Sequence, residues 1–243
     1  MRIDMNGQRA LVTGGTRGIG RAIVETLTGC GAQVTATGTN RELLALLECL
    51  PSVTTLYLDL ASAAPDDDVF RQLSSDRYDV IVNNAGINFH ALVGEIDIGE
   101  FDRMMNVNLR GAVMLCRAVV PGMAERGYGR VVNLTSIFSE VSKTRRAGYA
   151  TSKFALKGFT KTLALDYATR NVLANSIAPG FIRTEMTERM LGARGIEEMV
   201  SLVPVGRLGT PQEVATLVTF LASPLNTFVT GQNIVIDGGF TST

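Results

Sequence analysis

The sequence is poor in the residues from which most catalytic and metal centres are built. It has a single histidine, His90, so a histidine-based triad or a histidine-rich metal site is excluded by count. The three cysteines, Cys30, Cys49 and Cys116, are odd in number, widely separated and without metal-ligand spacing. They read as reduced residues of helix interiors rather than as a disulfide frame. Neither charge is in excess, with 23 Lys and Arg against 23 Asp and Glu, so there is no basic field to steer nucleic acid and no polybasic membrane patch. The opening MRIDMNGQR lacks the apolar run of a signal peptide. One uncharged stretch, 214–236, has the length of a membrane span, but Pro224, Asn226, Gly231, Gln232 and Asn233 break it into a helix, a turn and a strand. The expectation is a cytoplasmic protein with no nucleic-acid or membrane partner.

What is present is apolar residue, 46% of 243, enough for a sizeable core in one domain spanning 1–243. Short β-branched runs alternate with longer helical patterns. Strands are expected at 9–13, 34–37, 53–58, 79–82, 130–134, 172–178 and 233–236, and helices at 18–29, 41–50, 100–125 and 148–169. Another helix starts at Pro211, because Thr210-Pro211-Gln212-Glu213 is a capping box with proline at the first helical position. The acidic run Asp66, Asp67 and Asp68 reads as the first turn of a helix. Alternating strand and helix predicts an α/β protein, a doubly wound seven-stranded parallel sheet of Rossmann type with helices on both faces. Ligands of such sheets bind beyond the carboxyl ends of the strands. Gly14, Asn84, Ser136 and Pro179 all follow strand ends and are expected to line one crevice.

Thr13-Gly14-Gly15-Thr16-Arg17-Gly18-Ile19-Gly20 follows the first strand and opens the first helix. Glycines let the backbone turn tightly and approach a pyrophosphate at a helix N-terminus, where free N–H groups and the helix dipole favour anions. The spacing departs from G-x-G-x-x-G, and no Gly-Lys-Ser/Thr follows that would make a P-loop. An NAD site commonly has an acid at the end of the second strand to grip the ribose diol. Here that end reads Thr37-Gly38-Thr39-Asn40-Arg41. A missing carboxylate together with Arg17 and Arg41 suits a 2′-phosphate, so NADPH/NADP+ is expected ahead of NADH/NAD+. Ordinary solvated surface charge is the plainer account of the two arginines.

The stretch 136–153, SIFSEVSKTRRAGYATSK, holds a serine, a tyrosine and a lysine one helical turn past the tyrosine. Positions i and i+4 share a helix face, which brings the Lys153 ammonium within reach of the Tyr149 phenol. A phenol is a poor acid or base at neutral pH, and a fixed cation is expected to favour its anion and lower its pKa. Y-x-x-x-K alone also arises by chance in many helices.

Together these residues resemble the short, single-domain branch of the short-chain dehydrogenase/reductases, from end to end. The resemblance rests on Gly14-x-x-x-Gly18-x-Gly20, Asn83-Asn84-Ala85-Gly86, Asn108, Ser136, Tyr149-x-x-x-Lys153, Pro179-Gly180 with Thr184, and Asp237-Gly238-Gly239. It implies hydride transfer between a nicotinamide and a ketone or secondary alcohol. Tyr149 would be the general acid/base. Lys153 would lower its pKa and bind the nicotinamide ribose. Ser136 would hydrogen-bond the substrate oxygen, and Asn108 would hold a water linking Lys153 to solvent. Gly14, Thr16, Arg17, Gly18, Ile19 and Gly20 would form the phosphate turn, and Thr39 would contact the 2′-phosphate. Asp59 and Leu60 would flank the adenine. Asn84 would face the adenosine ribose side and Ile182 and Thr184 the carboxamide, with Ala85, Gly86, Pro179 and Gly180 also against the cofactor. Each has a plainer alternative: Ser136 capping a loop, Asn108 satisfying backbone inside an apolar helix, Asn83 and Asn84 turning the chain.

The substrate is the open question. The loop before Tyr149 carries Glu140, Lys143, Arg145 and Arg146, a cationic setting that hints at an anionic or polyhydroxylated substrate, and its S-x-x-S-E opening looks like gluconate-type dehydrogenases. Overall the chain resembles 3-oxoacyl-acyl-carrier-protein reductases, with Arg130 and Arg170 near where those enzymes meet the acidic carrier. A segment over 181–204 is expected to be a lid, with Met186, Met190 and Met199 as an adaptable inner face. A homotetramer formed through the two long helices and the last strand is also implied by the resemblance. The reading from another class is a non-catalytic dinucleotide-binding subunit; such relatives lose the tyrosine or lysine, and both are present here.

Overall fold

The computed structural model describes residues 3–64 and 67–242. Asp66 of the acidic run and the side chains of Met186 and Met190 lie outside the described residues. Seven parallel strands form one sheet in the order β3-β2-β1-β4-β5-β6-β7: β1 Arg9–Val12, β2 Gln33–Gly38, β3 Val53–Tyr57, β4 Val80–Asn83, β5 Gly129–Leu134, β6 Val172–Pro179 and β7 Asn233–Ile236. The helices are α1 Gly18–Gly29, α2 Arg41–Leu47, α3 Asp68–Ser75, α4 Ile98–Met105, α5 Gly111–Arg126, α6 Ala147–Tyr167, α7 Glu185–Val200 and α8 Pro211–Ala222.

Successive strand side chains point to opposite faces, and the core follows that alternation. Ala10 and Val12 of β1, Val80 and Val82 of β4, and Val132 and Leu134 of β5 join α1 and α8 on one face. Leu11, Ile81 and Val131, each next to one of these, join α3, α5 and α6 on the other. Both faces of the central strands are therefore apolar, as a covered parallel sheet requires. The strand order reverses between β1 and β4, and the crevice beyond their carboxyl ends is the place where ligands of open α/β sheets bind.

Three expectations need correction. The helix expected over 100–125 is two helices, α4 and α5, joined by a π-helical turn at Asn106–Arg110. One residue more than an α-turn holds allows Asn108 to point inward, and such bulges gather at functional sites. The second helix stops at Leu47 rather than at residue 50, because the following turn tightens, with Leu50 N donating to Leu47 O at 2.9 Å, and Ser52 takes a left-handed φ of 63°. The cysteines are not all interior: Cys116 is buried, but Cys30 is half-buried and Cys49 exposed. The capping box at Thr210 forms as expected, Glu213 N donating to Thr210 Oγ1 at 3.3 Å and Thr210 N to Glu213 Oε2 at 2.8 Å. No helix among the described residues is long and apolar enough to cross a membrane.

Arg130, expected near a carrier surface, is 2% exposed. Its guanidinium lies over the Tyr128 ring at 4.4 Å and donates to three carbonyls: Gly129 O at 2.8 Å, Asn171 O at 3.0 Å and Asn226 O at 2.8 Å. It ties the starts of β5 and β6 to the segment after α8 and has no surface to offer a partner. Arg130→Ala is therefore expected to destabilise the fold by about 2–4 kcal/mol, since the buried carbonyls of Gly129 and Asn226 lose this donor and a large buried side chain is removed. Urea denaturation of both proteins measures the difference.

Candidate active site

The glycine turn is shaped by close approach. A Cβ on Gly20 would lie 2.0 Å from Gly14 O and 2.5 Å from Asn84 Nδ2, so no side chain fits there. Gly14 and Gly18 have φ of +63° and +55°, values L-residues seldom take. Arg17, the residue before α1, makes no side-chain cap, which leaves the first N–H groups of that helix directed out of its N-terminus. The cradle that only glycine permits and the uncapped helix end together fit a dinucleotide pyrophosphate.

The turn is pinned to β4 through a residue the sequence reading passed over. Thr13 Oγ1 accepts from Asn84 N and Ala85 N, each at 3.0 Å, and Asn84 Nδ2 returns bonds to Thr13 O at 2.9 Å and Gly14 O at 3.1 Å. A small hydroxyl at the end of the first strand was the available signal. Thr16 packs against Gly38 at the end of β2. Thr39 and Arg17 are exposed. The Arg41 guanidinium, by contrast, stacks over the Tyr57 ring at 4.5 Å. Asp59 accepts from Ala61 N at 3.0 Å and Ser62 Oγ at 3.2 Å, while Leu60 packs on Gly111 of α5. On the opposite rim, Thr184 stands beside the Gly18 position at 3.5 Å and caps α7, its Oγ1 accepting from Thr187 N at 3.2 Å. Ile182 bridges to Gly209. Gly180 N donates to Ile236 O at 2.9 Å, which holds the loop after Pro179 against the strand leading to Asp237.

Beyond β5 the chemistry-bearing side chains converge. Ser136 is 8% exposed; its Oγ accepts from Phe138 N at 3.2 Å and lies near enough to the Tyr149 hydroxyl to favour its anion. Lys153, one turn along α6, is 3% exposed. Its Nζ lies 5.6 Å from the Tyr149 ring centroid and donates to Leu134 O at 2.8 Å. A Cβ on Gly86 would stand 3.5 Å from both Lys153 Nζ and Asn108 Oδ1. Asn108 is 1% exposed; it accepts from Ile87 N at 2.8 Å and donates to Ile87 O at 2.9 Å and to Ser152 Oγ at 3.0 Å. Ser152 is a second residue the sequence reading missed. It sits between Tyr149 and Lys153 on α6, donating to Tyr149 O at 2.8 Å.

The electrostatics differ from the sequence expectation. Burial pushes the Tyr149 phenol above its ordinary value, with the Ser136 hydrogen bond and the Arg146 guanidinium acting the other way. Lys153 does not supply the downward shift expected of it. Burial pushes its own pKa down to about 8, and its ammonium is turned to the end of a strand. The cationic loop also resolves into separate parts. Glu140 is turned inward, taking Lys157 Nζ at 2.6 Å and a bond from Asn233 Nδ2. Arg145 pairs with Glu95 at 3.3 Å. Arg146 lies over the Phe138 ring at 5.1 Å, and Phe138 meets Tyr149 edge-on at 6.2 Å. Among the described residues no group of acids, cysteines and histidine could hold a metal ion.

The profile of the enoyl-(acyl carrier protein) reductase family matches residues 14–241. The chain belongs to the short-chain dehydrogenase/reductases. It is an NAD(P)-dependent oxidoreductase that interconverts a ketone and a secondary alcohol by hydride transfer. Among curated relatives, 3-oxoacyl-acyl-carrier-protein reductase of Aquifex aeolicus is 36% identical over 98% of this chain and 99% of its own. Among solved structures, a gluconate 5-dehydrogenase of Burkholderia cenocepacia in complex with NADP and tartrate superposes with a TM-score of 0.92 at 32% identity, covering 100% of this chain and 98% of that one. A 3-oxoacyl (acyl-carrier-protein) reductase of Agrobacterium tumefaciens with NADP bound gives 0.89 at 32%, covering 97% and 95%.

Because the folded state lowers the pKa of Lys153 from 10.5 to about 8, the native protein binds fewer protons than the unfolded chain between those values. Stability from this group therefore rises with pH through that window. The cofactor-free protein is expected to gain in urea midpoint from pH 8 to pH 10 relative to Lys153→Met. Parallel curves for the two proteins would contradict the burial of the charge.

Proposed function

We propose that this reductase uses NADPH to reduce the ketone of a 3-oxoacyl thioester, with an acyl carrier protein as its carrier. The observation that carries the chemistry is the convergence of Ser136, Tyr149, Lys153 and Asn108 at the carboxyl end of β5. When bound, the nicotinamide supplies or takes the hydride. The Ser136 hydroxyl donates to the substrate oxygen as negative charge grows there. Tyr149 gives that oxygen its proton, and its raised pKa keeps it protonated for the task at neutral pH. Lys153, protonated below about 8, holds the nicotinamide ribose and replenishes Tyr149. Asn108 holds the water that opens this line to solvent. Gly14, Thr16, Gly18, Ile19 and Gly20 hold the pyrophosphate, while Arg17 and Thr39 face the 2′-phosphate. Asp59 and Leu60 flank the adenine, Asn84, Ala85 and Gly86 the ribose side, and Pro179, Gly180, Ile182 and Thr184 the carboxamide. Arg170 is exposed and remains the carrier-facing cation of the pair once Arg130 is set aside.

A second reading, a sugar-acid or keto-sugar-acid dehydrogenase, is favoured by the Arg146 guanidinium beside Tyr149 and by the gluconate 5-dehydrogenase likeness. The chain is read as one dinucleotide-binding domain over 1–243, with 181–204 as its lid. Within the lid, α7 is interrupted at Gly192, whose φ of 60° supplies a hinge. A cytoplasmic homotetramer is the assembly this reading implies. β7 ends the sheet, and Phe154, Leu165 and Phe228 are exposed at 45%, 81% and 95%, apolar surface that partner copies would cover.

Tyr149→Phe is expected to lose roughly a thousandfold in kcat while still binding NADPH as wild type does, read from the cofactor's own fluorescence; a variant keeping most of its kcat would overturn the role. Wild type should show a higher kcat/KM with NADPH than with NADH. Light scattering is expected to give four chain masses, and a monomeric mass would remove the tetramer.

A further inference from the structure

One amide connects the last strand to the turn that carries Ser136. Asn233, the first residue of β7, makes all four side-chain hydrogen bonds of which an amide is capable. Its Oδ1 accepts from Thr135 Oγ1 at 2.8 Å and from Ser176 Oγ at 2.6 Å. Its Nδ2 donates to Ser139 Oγ at 3.1 Å and to Glu140 Oε1. Ser139 passes the constraint on. It is 0% exposed, and its Oγ, while accepting from Asn233, donates to Ser136 O at 2.6 Å. Ser139 N donates to the same carbonyl at 2.8 Å. The Ser136 peptide is thus held twice from one side, and the Ser136 Oγ accepts from Phe138 N at 3.2 Å. An oxygen that accepts there keeps its proton for another acceptor. The far end of the cluster is anchored as well. Glu140 takes Lys157 Nζ at 2.6 Å and 2.7 Å through its two oxygens, and Lys157 stands one turn past Lys153 on α6. Strands β5, β6 and β7 and helix α6 therefore all meet at this turn. Packing alone does not call for such an arrangement, since buried polar groups are unfavourable unless every one is satisfied. A satisfied network adds direction, which apolar contacts lack.

We propose that Asn233 and Ser139 are positioning residues: acting through the Ser136 carbonyl, they set the direction from which the Ser136 hydroxyl meets the substrate oxygen. The inference deepens the reading of Ser136 as the donor to that oxygen and rests on it. It makes β7, the edge strand of the sheet, part of the machinery that aims the reacting serine. A hydroxyl turned away from the growing charge loses rate rather than binding, because its bond is worth most in the transition state.

The test is a double-mutant cycle of Ser139→Ala with Ser136→Ala, assayed with NADPH and whichever of acetoacetyl-coenzyme A, 5-ketogluconate and cyclohexanone wild type reduces fastest. Ser139→Ala alone is expected to lose about tenfold in kcat, the scale of a slightly misplaced reacting group, with KM for NADPH within about twofold of wild type. In the Ser136→Ala background the same substitution should change kcat by less than about twofold, since the group it aims is already gone. Asn233→Ala, a half-buried site on the edge strand, is carried through the same cycle and decides the matter if Ser139→Ala does not fold. An unchanged kcat in the single variants, a loss confined to KM for NADPH, or an equal loss in both backgrounds overturns the proposal. An equal loss would mark general damage to the fold rather than an effect passed through Ser136. Failure of the underlying reading looks different: Ser136→Ala itself would keep the wild-type kcat, and the positioning role would fall with it.

Discussion

The site depends on one ammonium kept almost wholly out of water. Lys153 Nζ is held at 2.8 Å by Leu134 O, the last carbonyl of β5, and among the described residues no carboxylate pairs with it. A charge so placed is tolerable only because a strand end offers a lone pair and because the space around it stays open to polar groups. Gly86 borders that space, since a Cβ there would stand in ordinary contact, 3.5 Å, with both Lys153 Nζ and Asn108 Oδ1. Burial moves the two titrating groups in opposite directions, the lysine down to about 8 and the tyrosine up. Their protonated forms therefore coexist at neutral pH, the state from which a ketone can be protonated.

The scaffold behind this pair is polar where an α/β interior is usually apolar. Asn83 of β4 donates to Asn133 of β5 at 2.7 Å, Asn133 to Thr160 of α6 at 2.8 Å, and Thr160 to Leu156 O at 2.7 Å. This chain links two central strands to the helix carrying Tyr149 and Lys153, and a slip of that helix would leave Asn133 Nδ2 buried without its Thr160 acceptor. Asn108, brought inward by the π-helical turn, fixes the same helix from the other side through Ser152. The register of α6 against the sheet is thereby held by directional bonds as well as by packing.

The loop ahead of α6 shows how charge of one sign divides by function once it is folded. Glu140 is drawn into a cluster with Lys157 and Asn233, where those partners hold its carboxyl below the usual range despite partial burial. Arg145 is neutralised by Glu95. Arg146 alone of the loop's arginines is stacked, half-buried and without an acid. Sequence composition sees a single cationic segment there; the fold separates it into a structural pair, a tether and one guanidinium stacked on Phe138.

The strand and helix alternation, the glycine turn and the Ser136, Tyr149 and Lys153 spacing were all legible in the chain. Each is a local pattern, set by side-chain periodicity, by backbone angles only glycine reaches, or by neighbours on one helix face. The break in the long helix at Asn106–Arg110, the Thr13 tie to Asn84 and Ala85, and the burial of Arg130 were not legible, because each depends on partners tens of residues away. The direction of the Tyr149 shift belongs with these: i to i+4 spacing brings the lysine close, but only the surrounding interior decides how much charge it carries and which way it points. By itself the sequence determined the order of elements and which side chains come together beyond β5, since those follow from short-range geometry. Tertiary structure alone decided their burial and the pairing of the charges around them, since desolvation and pairing are properties of what packs around a group.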